Sequence, residues 1–170
     1  VKTNFLVVGA QRSGTTTLRR CLTQHPQVRM AEVQARPFFI NDELFERGTP
    51  SYDKYHEGRS DEADTVYGDV GVQYAYWQQS IPRIYRYNRD MKLVMLLRNP
   101  IERAYSAWQQ THHQGAEEQQ FVEAINLEPY RLRNANINNQ HKVYSYLDQG
   151  GILRITFYRI RYSCARVRFL

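Results

Sequence analysis

Only two cysteines, Cys21 and Cys164, occur in the 170 residues. A chain that relies on a disulfide framework needs more, so unpaired thiols in a reducing compartment are expected. Apolar runs are short, as in FLVV at 5–8 and LVMLL at 93–97. None approaches the roughly 20 residues of a membrane-spanning helix. The N-terminus enters a strand-like run within a few residues and shows no signal-peptide pattern. Internal repeats and low-complexity linkers are also missing. Acidic residues are absent from 151–170, where Arg154, Arg159, Arg161, Arg166 and Arg168 supply five of the six net positive charges. The rest of the chain is therefore close to neutral, and a nucleic-acid footprint is not expected.

What is present is an ordinary globular composition. Hydrophobic residues make up 42% and aromatics 13%, enough for a folded domain rather than a disordered chain. Asn4–Val8 reads as a buried strand halted by Gly9, and Thr15–Gln24 as a helix ended by His25-Pro26. Residues 28–40 read as irregular. NDELFERG reads as a short helix capped by Asn41 or Asp42 and stopped by Gly48. A short strand is expected at Val66–Val70 and a helix at Ser80–Tyr87. Lys92–Leu97 reads as a second buried strand, broken by Asn99-Pro100 before a helix to about His113. Further helices are expected at 117–126 and 138–148, and a strand at 152–160. Two buried strands that each feed a helix predict an α/β fold with a central parallel sheet and helices on both faces.

Gly9-Ala10-Gln11-Arg12-Ser13-Gly14-Thr15-Thr16 has the glycine spacing of a phosphate-binding loop. Consecutive backbone N–H groups and a helix N-terminus can cradle an anion there. Gly14 would let the backbone approach it closely. The loop is not a Walker A sequence, which places Lys-Ser or Lys-Thr after the second glycine. Its cation, Arg12, sits inside the loop, and no Mg²⁺ ligand set is evident. That suits a transferred monoanion better than a phosphoryl dianion. A plain strand–turn–helix junction with a surface arginine is the alternative. Arg98 leaves the second strand at its C-terminal end, the ligand edge of a parallel sheet. With Ser106 it could hold a second phosphate, or it could simply pair with Glu102.

Taken together, GAQRSGTT and the later LRNPIERAYS resemble the PAPS-dependent sulfotransferases, in particular their carbohydrate (heparan-type) and bacterial branches. The resemblance covers about residues 3–148. It implies a P-loop-like three-layer fold in a single domain, 1–170, atypical after about residue 150. It implies sulfuryl transfer from 3′-phosphoadenosine 5′-phosphosulfate (PAPS), without a metal, to a hydroxyl or amine of a small-molecule or carbohydrate acceptor. Arg12 would bridge the 5′-phosphate and the sulfuryl group, in the role usually held by lysine. Ser13, Gly14, Thr15, Thr16 and Thr17 would line the 5′-phosphate, and Arg98 and Ser106 would hold the 3′-phosphate. A cytoplasmic location goes with the bacterial branch, and the Golgi lumen is the alternative.

The sequence departs from that family where the catalytic base is expected. The family's Lys-Glu-x-His-Phe-Phe stretch corresponds to Gln34-Ala35-Arg36-Pro37-Phe38-Phe39. Ala35, or Gln34 if the loop shifts by one, cannot take a proton. Glu32 and His113 are the candidate substitutes. His113 stands seven residues after Ser106 on the same helix face, and His112 points off it. Asp69 and Tyr74 loosely match the family's acceptor region, where Tyr74, Tyr76 and Trp77 could stack on a sugar or pack in the core. Two rival functions stay open. One is a P-loop nucleotide or small-molecule kinase, and the other is a catalytically inactive nucleotide-binding fragment. The sequence does not fix the oligomeric state.

Overall fold

The computed structural model describes residues 2–31, 38–54, 64–75, 77 and 79–134. The expected helix at 138–148, the expected strand at 152–160 and Cys164 lie outside them. The described residues form two compact units divided between Leu97 and Arg98.

The first unit is built on β1, Phe5–Gly9, in which every residue is buried. A five-residue apolar run has no solvated face, so it must lie inside a sheet covered on both sides. β1 pairs in parallel with β3, Val66–Val70, on one side and with β4, Lys92–Met95, on the other. The pairing continues past β4, because Leu96 N–H donates to Gly9 O at 2.8 Å and Ala10 N–H donates to Leu96 O at 2.9 Å. An edge strand, β2 (Val28–Met30), pairs in parallel with β3 and completes the order β2-β3-β1-β4. β2 falls in the stretch read from sequence as irregular. Its three residues are too few to show a period, and the partner strand defines it.

Side chains alternate along β1. Phe5 and Val7 pack with Met30 and Val70 on one face, with Leu18 and Leu22 against them. These two leucines lie on α1, Thr15–Thr23, at the i, i+4 spacing that makes a helical stripe. Leu6 and Val8 point to the other face and are equally buried. α2 (Asp42–Glu46) has Asn41 as its cap, accepting from Leu44 N–H at 2.9 Å, and Gly48 follows it at φ +86°. α3 (Pro50–Asp53) was not read from sequence, although Pro50 in its first turn is a start signal. α4 spans Ser80–Tyr87.

Phe38, Phe39, Tyr52, Tyr74 and Tyr87 form an aromatic cluster. Phe38 stacks on Tyr52 at 4.8 Å, and Phe39 meets Tyr52, Tyr74 and Tyr87 edge-on at 5.0, 5.3 and 5.6 Å. Burying tyrosines requires partners for their hydroxyls. Tyr52 OH donates to Asp69 Oδ2 at 2.7 Å, and Tyr87 OH donates to Asp53 Oδ1 at 2.6 Å while accepting from Thr3 N–H at 2.9 Å. Burial, then the Asp69 charge, push the Tyr52 hydroxyl well above the usual tyrosine range. Tyr87 is raised as well, by burial and then by its bond to Asp53. Both therefore stay protonated donors. Gly68 and Gly71 are glycines for packing reasons: a Cβ would come within 2.0 Å of the Phe5 ring and 2.1 Å of the Tyr74 ring, respectively.

The second unit contains α5, Pro100–His113, and α6, Phe121–Asn134. Asn99 caps α5, accepting from Ile101 and Glu102 N–H groups. Ala107, Trp108 and Ala124 form the buried core, with Phe121 and Ile125 against it. α6 starts later than the expected 117–126 and runs on through Pro129. Residues 114–120 are tied to the end of α5 instead. Ala116 N–H donates to Thr111 O, Trp108 Nε1 donates to Gln119 O at 2.9 Å, and His112 Nδ1 lies 2.8 Å from Glu117 O.

Glu117 is 3% exposed and takes both guanidinium nitrogens of Arg131, one at 3.0 Å. Burial alone would raise its carboxyl. The Arg131 fork and Gln119 N–H outweigh that and hold it below the usual carboxylate range. A depressed carboxylate stabilises the fold above its unfolded pKa of about 4.3 and loses that contribution as pH falls through the lowered value. Arg131→Ala should therefore cost roughly 3 kcal/mol at pH 7 by stranding a buried charge. The cost should shrink as pH falls through the carboxylate range, because burial without Arg131 raises the stranded Glu117 carboxyl and it takes a proton. Denaturant unfolding of both proteins at pH 7 and pH 3.5 measures this, and an equal cost at both pH values would rule it out.

Candidate active site

β1 ends at the C-terminal edge of the sheet, between β3 and β4. The chain reaches β2 and β3 on one side of β1 and then crosses to β4 on the other. β1 therefore stands at the topological switch point, where ligands of parallel sheets bind. Ser13 N–H donates to Ala10 O at 3.2 Å, closing a tight turn. Arg12 has φ +66° and Gly14 φ +91°. Alternating left-handed residues make successive N–H groups converge into an anion-binding concavity. Gly14 is the N-cap of α1, and no side chain caps that end. The positive end of the helix is thus left to the loop.

The side chains fit the same reading. The Ser13 hydroxyl oxygen is shielded from solvent and has no hydrogen-bond partner among the described residues. A buried hydroxyl without a partner is costly in a protein that binds nothing there. A Cβ built at Gly14 meets nothing within 4 Å. Backbone conformation, rather than crowding inside the protein, therefore accounts for this glycine. Arg12, Thr16 and Thr17 are exposed, and Thr15 is 6% exposed. The left-handed Arg12 was not legible from sequence, since glycine spacing says nothing about the residues between.

In the second unit, Arg98 precedes the α5 cap, and its Nε donates to Glu102 at 3.3 Å, with side chains 41% and 63% exposed. The alternative read from sequence for Arg98 is thus present. Such an exposed i,i+4 pair is worth at most about 1 kcal/mol and yields readily to a stronger anion. Ser106 is half-buried in the second turn of α5, one turn beyond Glu102 on the same side. His113 is the exposed last residue of α5, two turns from Ser106. His112, off that face, stacks on Trp108 at 4.9 Å. Glu32, Gln34, Ala35 and Tyr76 lie outside the described residues.

The loose match of Asp69 and Tyr74 to an acceptor site needs correcting. Asp69 is 2% exposed and accepts from Tyr52 and from Val70 N–H, and Tyr74 is fully buried against Phe39. Both belong to the core. Trp77, half-buried, remains at the surface.

Residues 4–67 match the model of the sulfotransferase family. A membrane-associated sulfotransferase, kil1, of Dictyostelium discoideum is 30% identical over 106 residues, covering 62% of this chain and 22% of that protein. Human heparan sulfate glucosamine 3-O-sulfotransferase 6 is 33% identical over 110 residues, covering 62% of the chain and 30% of the relative. The chain thus spans less than a third of the length of these curated relatives. The crystal structure of a sulfotransferase from Alicyclobacillus acidocaldarius superposes with a TM-score of 0.69 at 25% identity, over 89% of this chain and 70% of the other. Sequence and structure together support a sulfotransferase family. The fold of this sulfotransferase-like chain is α/β and P-loop-like, with a parallel sheet at its centre. Among the described residues no helix is long and apolar enough to cross a membrane.

The left-handed Arg12 separates local fold from binding. A non-glycine residue in that region costs of order 1–2 kcal/mol, which glycine avoids at an entropic cost of about 0.5–1. Arg12→Gly should leave thermal stability unchanged or raise it slightly while weakening 3′,5′-ADP binding at least tenfold. Melting temperature and calorimetry on the same samples check this. Unchanged affinity would reduce Arg12 to a surface residue of a plain turn.

Proposed function

We propose that the chain transfers a sulfuryl group from PAPS to a hydroxyl or amine of an acceptor, with a carbohydrate as the favoured class. The observation that carries this reading is the loop at the end of β1. It combines left-handed Arg12 and Gly14, a Ser13 hydroxyl with no hydrogen-bond partner among the described residues, and an α1 N-terminus that no side chain among them caps. The family match over residues 4–67 and the heparan sulfate relatives support it.

In this reading Ser13, Gly14, Thr15, Thr16 and Thr17 bind the 5′-phosphate through backbone and hydroxyl groups. Arg12 offsets the charge that grows on that phosphate as the sulfur–oxygen bond breaks. The acceptor oxygen or nitrogen forms the new bond to sulfur, its proton passes to a base, and 3′,5′-ADP leaves. Arg98 and Ser106 take the 3′-phosphate, with Arg98 exchanging Glu102 for it. His113 and Glu32 are the candidate bases, since Ala35 cannot serve. A cytoplasmic setting, with the Golgi lumen as the alternative, accompanies this reading. Ala35 at the usual base position favours a second one, a nucleotide-binding protein without turnover.

Charge-assisted hydrogen bonds contribute about 1.5–3 kcal/mol each. By calorimetry, 3′,5′-ADP should bind at least tenfold tighter than 5′-AMP, and Arg98→Ala should abolish the difference. Equal affinities in the parent protein would end the PAPS reading. Residues 10–17 contain no carboxylate to hold Mg²⁺, so sulfuryl transfer should survive EDTA. Activity lost on chelation and restored by Mg²⁺ would favour a kinase. A positioned base is worth about 10²–10⁴ in rate. Ala35→Glu should therefore raise steady-state turnover without changing nucleotide affinity, and His113→Ala should matter less in that variant than in the parent. If neither substitution changes the rate, the base lies elsewhere.

A further inference from the structure

Arg98 stands one residue before the Asn99 cap of α5, and Glu102 stands inside the first turn. Asn99 Oδ1 accepts from Ile101 N–H at 3.0 Å and from Glu102 N–H at 3.3 Å, which fixes Glu102 as the third residue of the helix. A carboxylate at that position is favoured by the positive end of the helix and can reach back to the N–H of the cap residue. Glu102 Oε2 instead takes Arg98 Nε at 3.3 Å. Charge-assisted bonds between such groups usually measure about 2.7–2.9 Å, so this contact is a loose one.

The two charges have unequal alternatives. Released from Arg98, Glu102 can still use the helix end, the cap N–H and water, since its side chain is 63% exposed. A phosphate has the stronger claim on the guanidinium, because it accepts two parallel N–H bonds from the fork. Phosphate and Glu102 are thus rival occupants of one cation. An exposed i,i+4 pair shifts such a balance by no more than about fivefold. The step where that shift matters follows from the chemistry. PAPS and 3′,5′-ADP carry the same 3′-phosphate, which takes no part in the transfer. A tight hold on it strengthens donor and product equally, adds nothing to the chemical step and delays the departure of the product. Product departure limits turnover in many enzymes.

We propose that Glu102 is a positioning residue for product release: as 3′,5′-ADP departs, the Glu102 carboxylate retakes Arg98 and lowers the cost of letting the 3′-phosphate go. Glu102 acts through Arg98 and touches neither nucleotide nor acceptor. This role rests on the reading in which Arg98 holds the 3′-phosphate, but nucleotide release can be measured without turnover.

Surface plasmon resonance on the immobilised protein reads association and dissociation of 3′,5′-ADP and 5′-AMP. Glu102→Gln keeps the size of the side chain and removes its charge, and glutamine is also accepted at the third position of a helix, so the variant keeps its fold. It should lower the Kd of 3′,5′-ADP by about two- to fivefold, mostly through slower dissociation, and leave 5′-AMP unchanged. In the Arg98→Ala background the same substitution should change neither nucleotide. Unchanged dissociation of 3′,5′-ADP from Glu102→Gln overturns the role. So does slowing that persists without Arg98, which would be a charge effect through space, and so does tightening carried wholly by faster association. If the parent holds 3′,5′-ADP no longer than 5′-AMP, the assignment of the 3′-phosphate falls. Glu102 then keeps its role only if both nucleotides leave more slowly from Glu102→Gln and not from the double variant, and otherwise falls with it.

Discussion

Burial of β1 on both faces and both edges is the constraint from which the rest follows. A strand with β3 and β4 on its flanks and apolar layers above and below can leave the sheet only at its end. Its last residue, Gly9, is still paired to the chain beyond β4, and the helix that follows must return to cover Phe5 and Val7. Five residues separate the strand from α1. In that length the backbone reverses through two left-handed positions, Arg12 and Gly14, and its N–H groups turn inward as a consequence. A concave loop is what remains when a fully buried strand is joined by a short loop to its own covering helix.

Polar bonds inside the core sustain this arrangement. Asp69 is buried in the strand next to β1, where an isolated carboxylate would be intolerable. Tyr52 and Val70 N–H supply its donors, and Tyr52 in turn brings in the ring stack with Phe38. Tyr87 links Asp53 to Thr3, so the start of the chain, α3 and the end of α4 meet at one hydroxyl. On the outside, Arg83 donates to Phe39 O, pairs with Asp42 and covers the Phe45 ring at 4.8 Å. Tyr52 ties the cluster to the sheet and Tyr87 ties it to α3 and Thr3, so directional bonds fix the arrangement of a mostly apolar cluster.

The elements legible in the sequence are those with a strong local cause. FLVV, the His25-Pro26 stop, the Asn41 cap, Gly48 and Asn99-Pro100 all act within a few residues, and the structure has boundaries at each of them. β2 and the true start of α6 depend on distant partners. Val28–Met30 becomes a strand because β3 accepts it, and residues 114–120 are held out of α6 by Trp108, His112 and Thr111. The strand–loop–helix junction at Gly9–Thr15 was readable because glycine spacing and a following helix are local signals. Asp69 misled, and Tyr74 stayed open between a sugar and the core, because residue type does not reveal which side of a strand or turn faces inward.

The parallel sheet also has a consequence for synthesis. Phe5 is paired with Gly68 and Lys92, so neither neighbour of β1 exists when β1 leaves the ribosome. At about 5–20 residues per second, the strand waits several seconds for its first partner and longer for its second. During that interval an apolar run stands open along both edges, the condition under which strands pair with foreign chains. The segment that ends in the loop at Gly9–Gly14 is therefore the one that most needs shelter while the protein is being made.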